Sequence, residues 1–200
     1  LKGDRDRNRR RAWLLGDWDV EAGGILEGFF DRRYHALKAF KIPEGWRVDR
    51  AFDWGSSKPY SVGWYAESDG SAVEVEPGRW RNFPVGTVFR IHELYGIEVN
   101  PQTNMPVPNT GLRETNAQIV AKVREAESEG GFLRRLIGSR DIQTGPADAS
   151  LFSVVNGESY AAEMENLGLE WLPSYKAAGS RVQGVERLRS ALQCALPKLD

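Results

Sequence analysis

The sequence predicts an α/β protein: a mixed sheet of three antiparallel strands followed by alternating helices and strands, flanked by helices. Three observations predict it. Residues 46–96 hold three strand-like runs separated by turn residues. From residue 112 onward the apolar spacing changes from period two to the helical period. Hydrophobic residues make up 40% of the 200-residue chain, enough for a folded core.

Residues 1–11, LKGDRDRNRRR, are charged throughout and read as a solvated tail, with a basic DNA-binding arm as the alternative. AWLLGDWDVEAGGILEGFF reads as a short strand, a glycine turn and a second short segment, and Pro43 separates this appendage from the rest of the chain. In WRVDRAFD, residues 46–53, Trp46, Val48 and Phe52 share one face, and Asp49, Ala51 and Asp53 the other. Gly55 and Pro59 mark a turn, and YSVGWYAE is the second strand. SDGSAVEVEPGRWRNFP reads as a polar hairpin arm or loop. VGTVFRIHELYG, rich in β-branched and aromatic residues, is the third strand.

LRETNAQIVAKVREAESEGG reads as a helix, with Leu112, Ile119, Val120 and Val123 on its inner face and Gly130 as its stop. A fourth strand is expected within FLRRLIGSRDI, broken by the Gly-Pro turn of GPADASLF. A further helix is expected from about Asn156 to Gly168, and LEWLPSY supplies a fifth short strand. Ser180 and Gln183 have the spacing of a capping box. They open a last helix with Val182, Val185, Leu188 and Leu192 inward and Pro197 beyond its end.

No apolar run approaches the roughly 18 residues that span a bilayer, and no signal-peptide pattern opens the chain. The single cysteine, Cys194, excludes an internal disulfide and a cysteine zinc cage, and fits a reducing cytosol. Leu1 in place of Met suggests an excised piece of a longer protein. The net charge of −1 is unevenly spread: residues 1–50 carry +3, residues 51–170 carry −7 and residues 171–200 carry +3. Carboxylates waiting for cations beside surfaces that accept a polyanion would give this pattern, and so would ordinary surface variation.

Three acidic residues stand out by position. Asp53 ends the first strand, Glu93 lies near the end of the third, and Asp148 follows the expected fourth. An ionised carboxylate at the end of a buried strand needs a basic partner or a metal ion. If the first strand sits centrally, beside the third and fourth, the three acids converge at one edge of the sheet. Their mutual repulsion would be relieved by a divalent cation, and oxygen-only ligation favours Mg²⁺ or Mn²⁺ over zinc. Ordinary roles stay open: Asp53 as a turn residue before Gly-Ser, Glu93 as a solvated edge charge, Asp148 as a helix cap. Asp49 and Asp141 are rival ligands. His92 has no second histidine at zinc-protease spacing and reads as packed on the opposite face, His35 has no partner motif, and Trp80 lies between two arginines where it could face DNA.

RAWLLGDWDVEAGG, FKIPEGWRVDRAFDWGSSKPYSVGWY, GPADASLF and SYKAAGSRVQGVERLRSAL resemble, in that order, the C-terminal nuclease domain of phage large terminase subunits. The resemblance implies an RNase H-like fold and an endonuclease that cuts concatemeric viral DNA by two-metal hydrolysis. It implies that Asp53, Glu93 and Asp148 are catalytic metal ligands for two ions, Mg²⁺ or Mn²⁺, with Asp53 bridging them. Lys176 or Arg181 would contact DNA phosphate, and the last helix's N-terminus is a further phosphate site. Double-stranded DNA, the portal and the small terminase subunit would be partners, with no membrane contact, in the host cell cytoplasm. The chain lacks a P-loop signature, so the ATPase motor is expected before Leu1. Residues 1–42 would be the linker from that motor and residues 43–200 the nuclease domain. Two other functions fit the same fold: a non-cutting DNA or portal docking module, and a resolvase- or transposase-type nuclease.

Overall fold

In the computed structural model, residues 25–155 and 157–195 are described. Readings that fall wholly within residues 1–24, the charged tail and the GDWDV segment among them, lie outside that range, as does Pro197. The chain divides into two compact units, one of residues 38–175 and one of the two flanks, residues 1–37 with 176–200.

In chain order the elements are α1 (Arg32–His35), β1 (Arg47–Asp53), β2 (Ser61–Glu67), β3 (Ala72–Glu76), β4 (Arg79–Asn82), β5 (Val88–Tyr95), β6 (Ile97–Val99) and β7 (Pro106–Gly111). Then come α2 (Asn116–Glu127), α3 (Phe132–Ile137), β8 (Pro146–Ala147), β9 (Val154–Val155), β10 (Glu158–Ser159), α4 (Tyr160–Asn166), β11 (Leu172–Pro173) and α5 (Ser180–Ala195). The main sheet has the order β11-β8-β1-β2-β5. β2 runs antiparallel to β1 and to β5, while β8 and β11 run parallel to β1. This is the predicted mixed sheet, with the β3–β4 hairpin as the predicted arm between the second and third strands.

The strand order corrects one expectation. β1 is central, but its neighbours are β2 and β8, and the third strand of the meander, β5, lies beyond β2. Each meander strand pairs with the one before it, as short connections favour.

Period-two alternation sets the two faces of β1 and β2. Val48, Arg50 and Phe52 are buried, as are Val62, Trp64 and Ala66, whereas Asp49, Ala51, Ser61 and Tyr65 are half-exposed. On the buried face Phe52, Val62 and Trp64 pack in one cluster with Ile119 and Val123 of α2, Leu133 of α3 and Met164 of α4. A second cluster joins Phe40, Ile42, Trp46, Val48 and Ile137, with Phe83 and Phe89 packed against it. Trp46 stacks on Phe89 with ring centroids 5.4 Å apart, and its indole N–H donates to Ser71 Oγ at 3.0 Å.

Other local readings change as well. FLRRLI is a helix, α3, because Leu133 and Ile137 are four residues apart and both turn inward. The fourth strand is instead Pro146–Ala147, held between β1 and β11. Val154–Val155 and Glu158–Ser159 form the β9–β10 pair, so α4 starts only after the cap residue Ser159, whose side chain accepts from the Ala162 N–H. Leu112 lies outside α2. That helix starts behind Thr115, which forms a reciprocal capping box with Gln118. Ser180 is the first residue of α5 rather than its cap. Gly179, at φ +82°, precedes it and accepts the first helical hydrogen bond from Gln183.

Two arginines tie irregular backbone together. Arg140 donates to the carbonyls of Ile42, Pro43, Trp46 and Ile137. Arg134 donates to those of Glu127, Gly138 and Arg140. In the flanking unit, His35 Nε2 lies 2.8 Å from the Leu192 carbonyl, so α1 is joined to α5.

Candidate active site

The sheet brings Asp53 and Asp148 to the same end of adjacent parallel strands. Phe52 pairs with Ala147, and the Asp148 N–H donates to the Phe52 carbonyl at 3.0 Å. The two acids therefore follow paired residues, on strands roughly 5 Å apart. This is the carboxyl end of the parallel strands, where open α/β sheets bind ligands.

Asp53 is exposed, and among the described residues no cation pairs with it. That corrects the expectation of a buried charge. Asp53 falls on the open face of β1, so the cost of burial does not apply, and no arginine among the described residues neutralises it. Asp148 is half-exposed. Its Oδ1 accepts from the Ser150 N–H at 2.7 Å and from the Ser150 hydroxyl at 2.5 Å, capping a short 3-10 turn over Ala149–Phe152.

Glu93 shares the open face but not the position. It pairs with Gly63, which pairs with Ala51, so two strand spacings, roughly 10 Å, separate it from β1. Its Oε1 accepts from the Ser61 hydroxyl at 2.7 Å, and Arg90 lies 3.1 Å from Oε2. Ser61 is the cross-strand partner of Asp53, so one hydroxyl links the row of Asp53 to Glu93. Among the described residues no three His, Cys, Asp or Glu side chains are grouped to hold one ion. The structure thus places two carboxylates on neighbouring strand ends and the third across β2.

The rival acids lie elsewhere. Asp49 is four residues back along β1, roughly 13 Å at strand spacing. Arg47 reaches Asp49 at 3.3 Å and Glu67 at 2.6 Å. Burial raises the Asp49 pKa, and the shared guanidinium only partly opposes that. Asp141 is exposed and precedes Gln143, which bridges to Asp49, so it lies toward the start of β1 rather than its end.

Lys176 and Arg181 are exposed residues of the flanking unit, with Arg181 in the first turn of α5. His92 is packed as expected, its ring 5.2 Å from that of Trp64 and 5.8 Å from that of Phe132, and burial lowers its pKa. Trp80 is 63% exposed on β4.

One polar cluster was not foreseen. Arg50, on the buried face, meets Glu127 at 3.1 Å, donates to the Glu170 carbonyl at 3.3 Å and lies over the Trp171 ring. Glu127 also accepts from the Trp64 indole at 2.8 Å. The signal was present, since Arg50 alternates with Val48 and Phe52.

Asp53 and Asp148 are hard oxygen donors, with no histidine or thiolate beside them in the register. That donor chemistry fits a hard divalent cation.

No protein-family model matches the chain, and no curated protein matches it. Solved structures do. The P22 large terminase nuclease domain aligns over 87% of this chain and 70% of its own, at TM-score 0.50 and 12% identity. The large terminase of the thermophilic bacteriophage D6E aligns over 98% of this chain at TM-score 0.51 and 13% identity. This chain spans 40% of the D6E protein's length. The large terminase nuclease of thermophilic phage G20c, solved with bound cobalt, gives TM-score 0.43 at 12% identity, over 86% of this chain and 71% of its own. The fold is thus that of large terminase nuclease domains, as the sequence resemblance implied.

Proposed function

We propose that this chain is the nuclease domain of a phage large terminase, an endodeoxyribonuclease that depends on divalent metal and cuts concatemeric duplex DNA. The observation that supports this reading above all is the pair Asp53 and Asp148 at the ends of β1 and β8, with Asp53 exposed and without a cationic partner among the described residues.

In this reading Asp53 and Asp148 hold Mg²⁺ or Mn²⁺, and Glu93 contributes to a second ion. Bound divalent ions would supply a water acidic enough to attack phosphorus and charge to offset the developing oxyanion. The protein's own part is positional. The Phe52 carbonyl fixes the Asp148 backbone, and the Ser150 contacts fix its carboxylate. Ser61 orients Glu93 toward the Asp53 row, and Arg90 holds its other oxygen. Lys176 and Arg181 would meet DNA phosphates. Residues 1–42 would be the trailing edge of an ATPase motor, and the portal and small terminase subunit the partners of the full assembly, in the host cytoplasm. No helix among the described residues is long and apolar enough to cross a membrane.

The test is plasmid cleavage with Mg²⁺, Mn²⁺ or EDTA, using the parent, Asp53→Asn and Asp148→Asn. The expected result is cutting only with metal and a loss of roughly 100-fold or more in each variant. Cutting by both variants at the parental rate would refute the site.

A second reading, a docking module that binds DNA or the portal without cutting, draws on the Arg90–Glu93 contact and the absence of a three-carboxylate group among the described residues. Calorimetric titration with Mn²⁺ separates the two, since a docking module would take up no ion at Asp53.

A further inference from the structure

The seven residues between Asp53 and Ser61, WGSSKPY, leave β1 and return as β2 directly beside the candidate site. Their backbone is braced on several sides. The Gly111 N–H donates to the Ser57 carbonyl at 3.0 Å, and the Gly96 N–H to the Tyr60 carbonyl at 2.9 Å. The Tyr60 hydroxyl donates to Glu114 at 2.7 Å, and Glu114 pairs with Lys122 at 2.6 Å. Trp54 packs on the Tyr160 ring, with centroids 5.1 Å apart.

Two glycines make the close approach possible. A Cβ on Gly55 would lie 2.5 Å from the Lys58 carbonyl oxygen and 2.8 Å from that of Pro59. A Cβ on Gly111 would strike the Lys58 carbonyl and lie 2.5 Å from that of Ser56. The chain at Lys58 therefore folds back against Gly55, two residues from Asp53.

On this fixed backbone the side chains of Ser56, Ser57 and Lys58 are exposed. Lys58 has no ionic partner among the described residues. It is also the only Lys or Arg in residues 51–78, within a stretch of net charge −7 over residues 51–170. A phosphodiester approaching Asp53 and Asp148 is repelled by both acids. An unpaired cation on a rigid ledge beside them offsets that repulsion and costs little ordering entropy on binding.

We propose that the 54–60 loop is a phosphate ledge. Lys58 holds a backbone phosphate of duplex DNA that flanks the phosphodiester presented to Asp53 and Asp148, with the hydroxyls of Ser56 and Ser57 as secondary donors. Lys58 positions the DNA and takes no part in the chemistry. The proposal rests on the nuclease reading and fails separately from it.

The experiment is fluorescence anisotropy of a labelled duplex in EDTA, over a series of salt concentrations, with Lys58→Ala, Lys58→Arg and the exposed control Lys41→Ala. Removing one phosphate contact lowers the slope of log affinity against log salt by about 0.9. Lys58→Ala is expected to show that drop with several-fold weaker binding and an unchanged melting temperature. Lys58→Arg should restore the slope, and Lys41→Ala should match the parent. In Mn²⁺-dependent cleavage, Lys58→Ala should raise KM several-fold with kcat nearly unchanged. A parental slope for Lys58→Ala in a protein that binds and cuts DNA overturns the ledge alone. A parent that neither binds nor cuts overturns the ledge and the nuclease reading together.

Discussion

The two faces of the central sheet come from the same strands, yet they treat charge differently. On the face turned to α2, the one charged side chain of β1, Arg50, is met by Glu127, by the Glu170 carbonyl and by the Trp171 ring. On the opposite face Asp49, Glu67 and Glu93 each have a single exposed arginine nearby, and Asp53 has none among the described residues. A buried charge must be answered by the protein itself, because desolvation costs several kcal/mol. An open one is left for solvent or ligand. The face with unmet charge is the one that carries Asp53, on which the proposed nuclease function rests.

The largest test of this contrast is Gly145→Ala. A Cβ there would run into the Arg50 carbonyl, where β8 approaches β1. The expected cost is about 3 kcal/mol or more, from forced separation of the strands. Urea unfolding measures it, and the proposed metal-dependent cleavage should fall with it because Asp148 moves away from Asp53. Glu127→Ala comes next. It leaves the buried Arg50 guanidinium without its counterion and the Trp64 indole without its acceptor, for a loss of about 3 kcal/mol. Adding Arg50→Met should recover much of that loss, whereas an Arg50→Met single variant as stable as the parent would show the pair to be neutral.

Gly63→Ala is smaller and belongs to the open face. The new methyl would meet the Tyr65 ring at 2.7–2.9 Å, and turning that side chain outward costs about 1 kcal/mol. An unchanged urea midpoint would show that the ring has room to move.

The smallest effect is one of pH. Burial lowers the His92 pKa below the usual 6.5, and the nearby Glu93 charge opposes it. The unfolded chain then takes up the proton first, so stability is full above pH 6.5 and declines as pH falls below it toward the folded pKa. His92→Phe, which keeps the ring between Trp64 and Phe132, should flatten that decline in denaturation curves between about pH 7.5 and pH 5.

Much of this architecture was legible in the sequence. The meander, its hairpin arm and the division of β1 into an apolar and an acidic face all follow from period-two alternation. Alternation assigns Arg50 a face and not a partner, and its partner Glu127 lies 77 residues away. FLRRLI, four apolar residues around two arginines, is too short for its spacing to separate helix from strand. The same S/T-x-x-Q spacing occurs at Thr115 and at Ser180, and only the first makes a cap, since Gly179 occupies that place before α5. The separation of Glu93 from Asp53 was hidden because strand order in space is not strand order in sequence.

β8 is only two residues long, and it is tied on both sides: Phe52 pairs with Ala147, the Leu172 N–H donates to the Gly145 carbonyl, and the Ser174 N–H donates to the Ala147 carbonyl. So short a rung, gripped from left and right, cannot slide. The gap between the two acids is therefore inherited from the pitch of the peptide ladder, and surface loops elsewhere can lengthen, shrink or change composition without altering it.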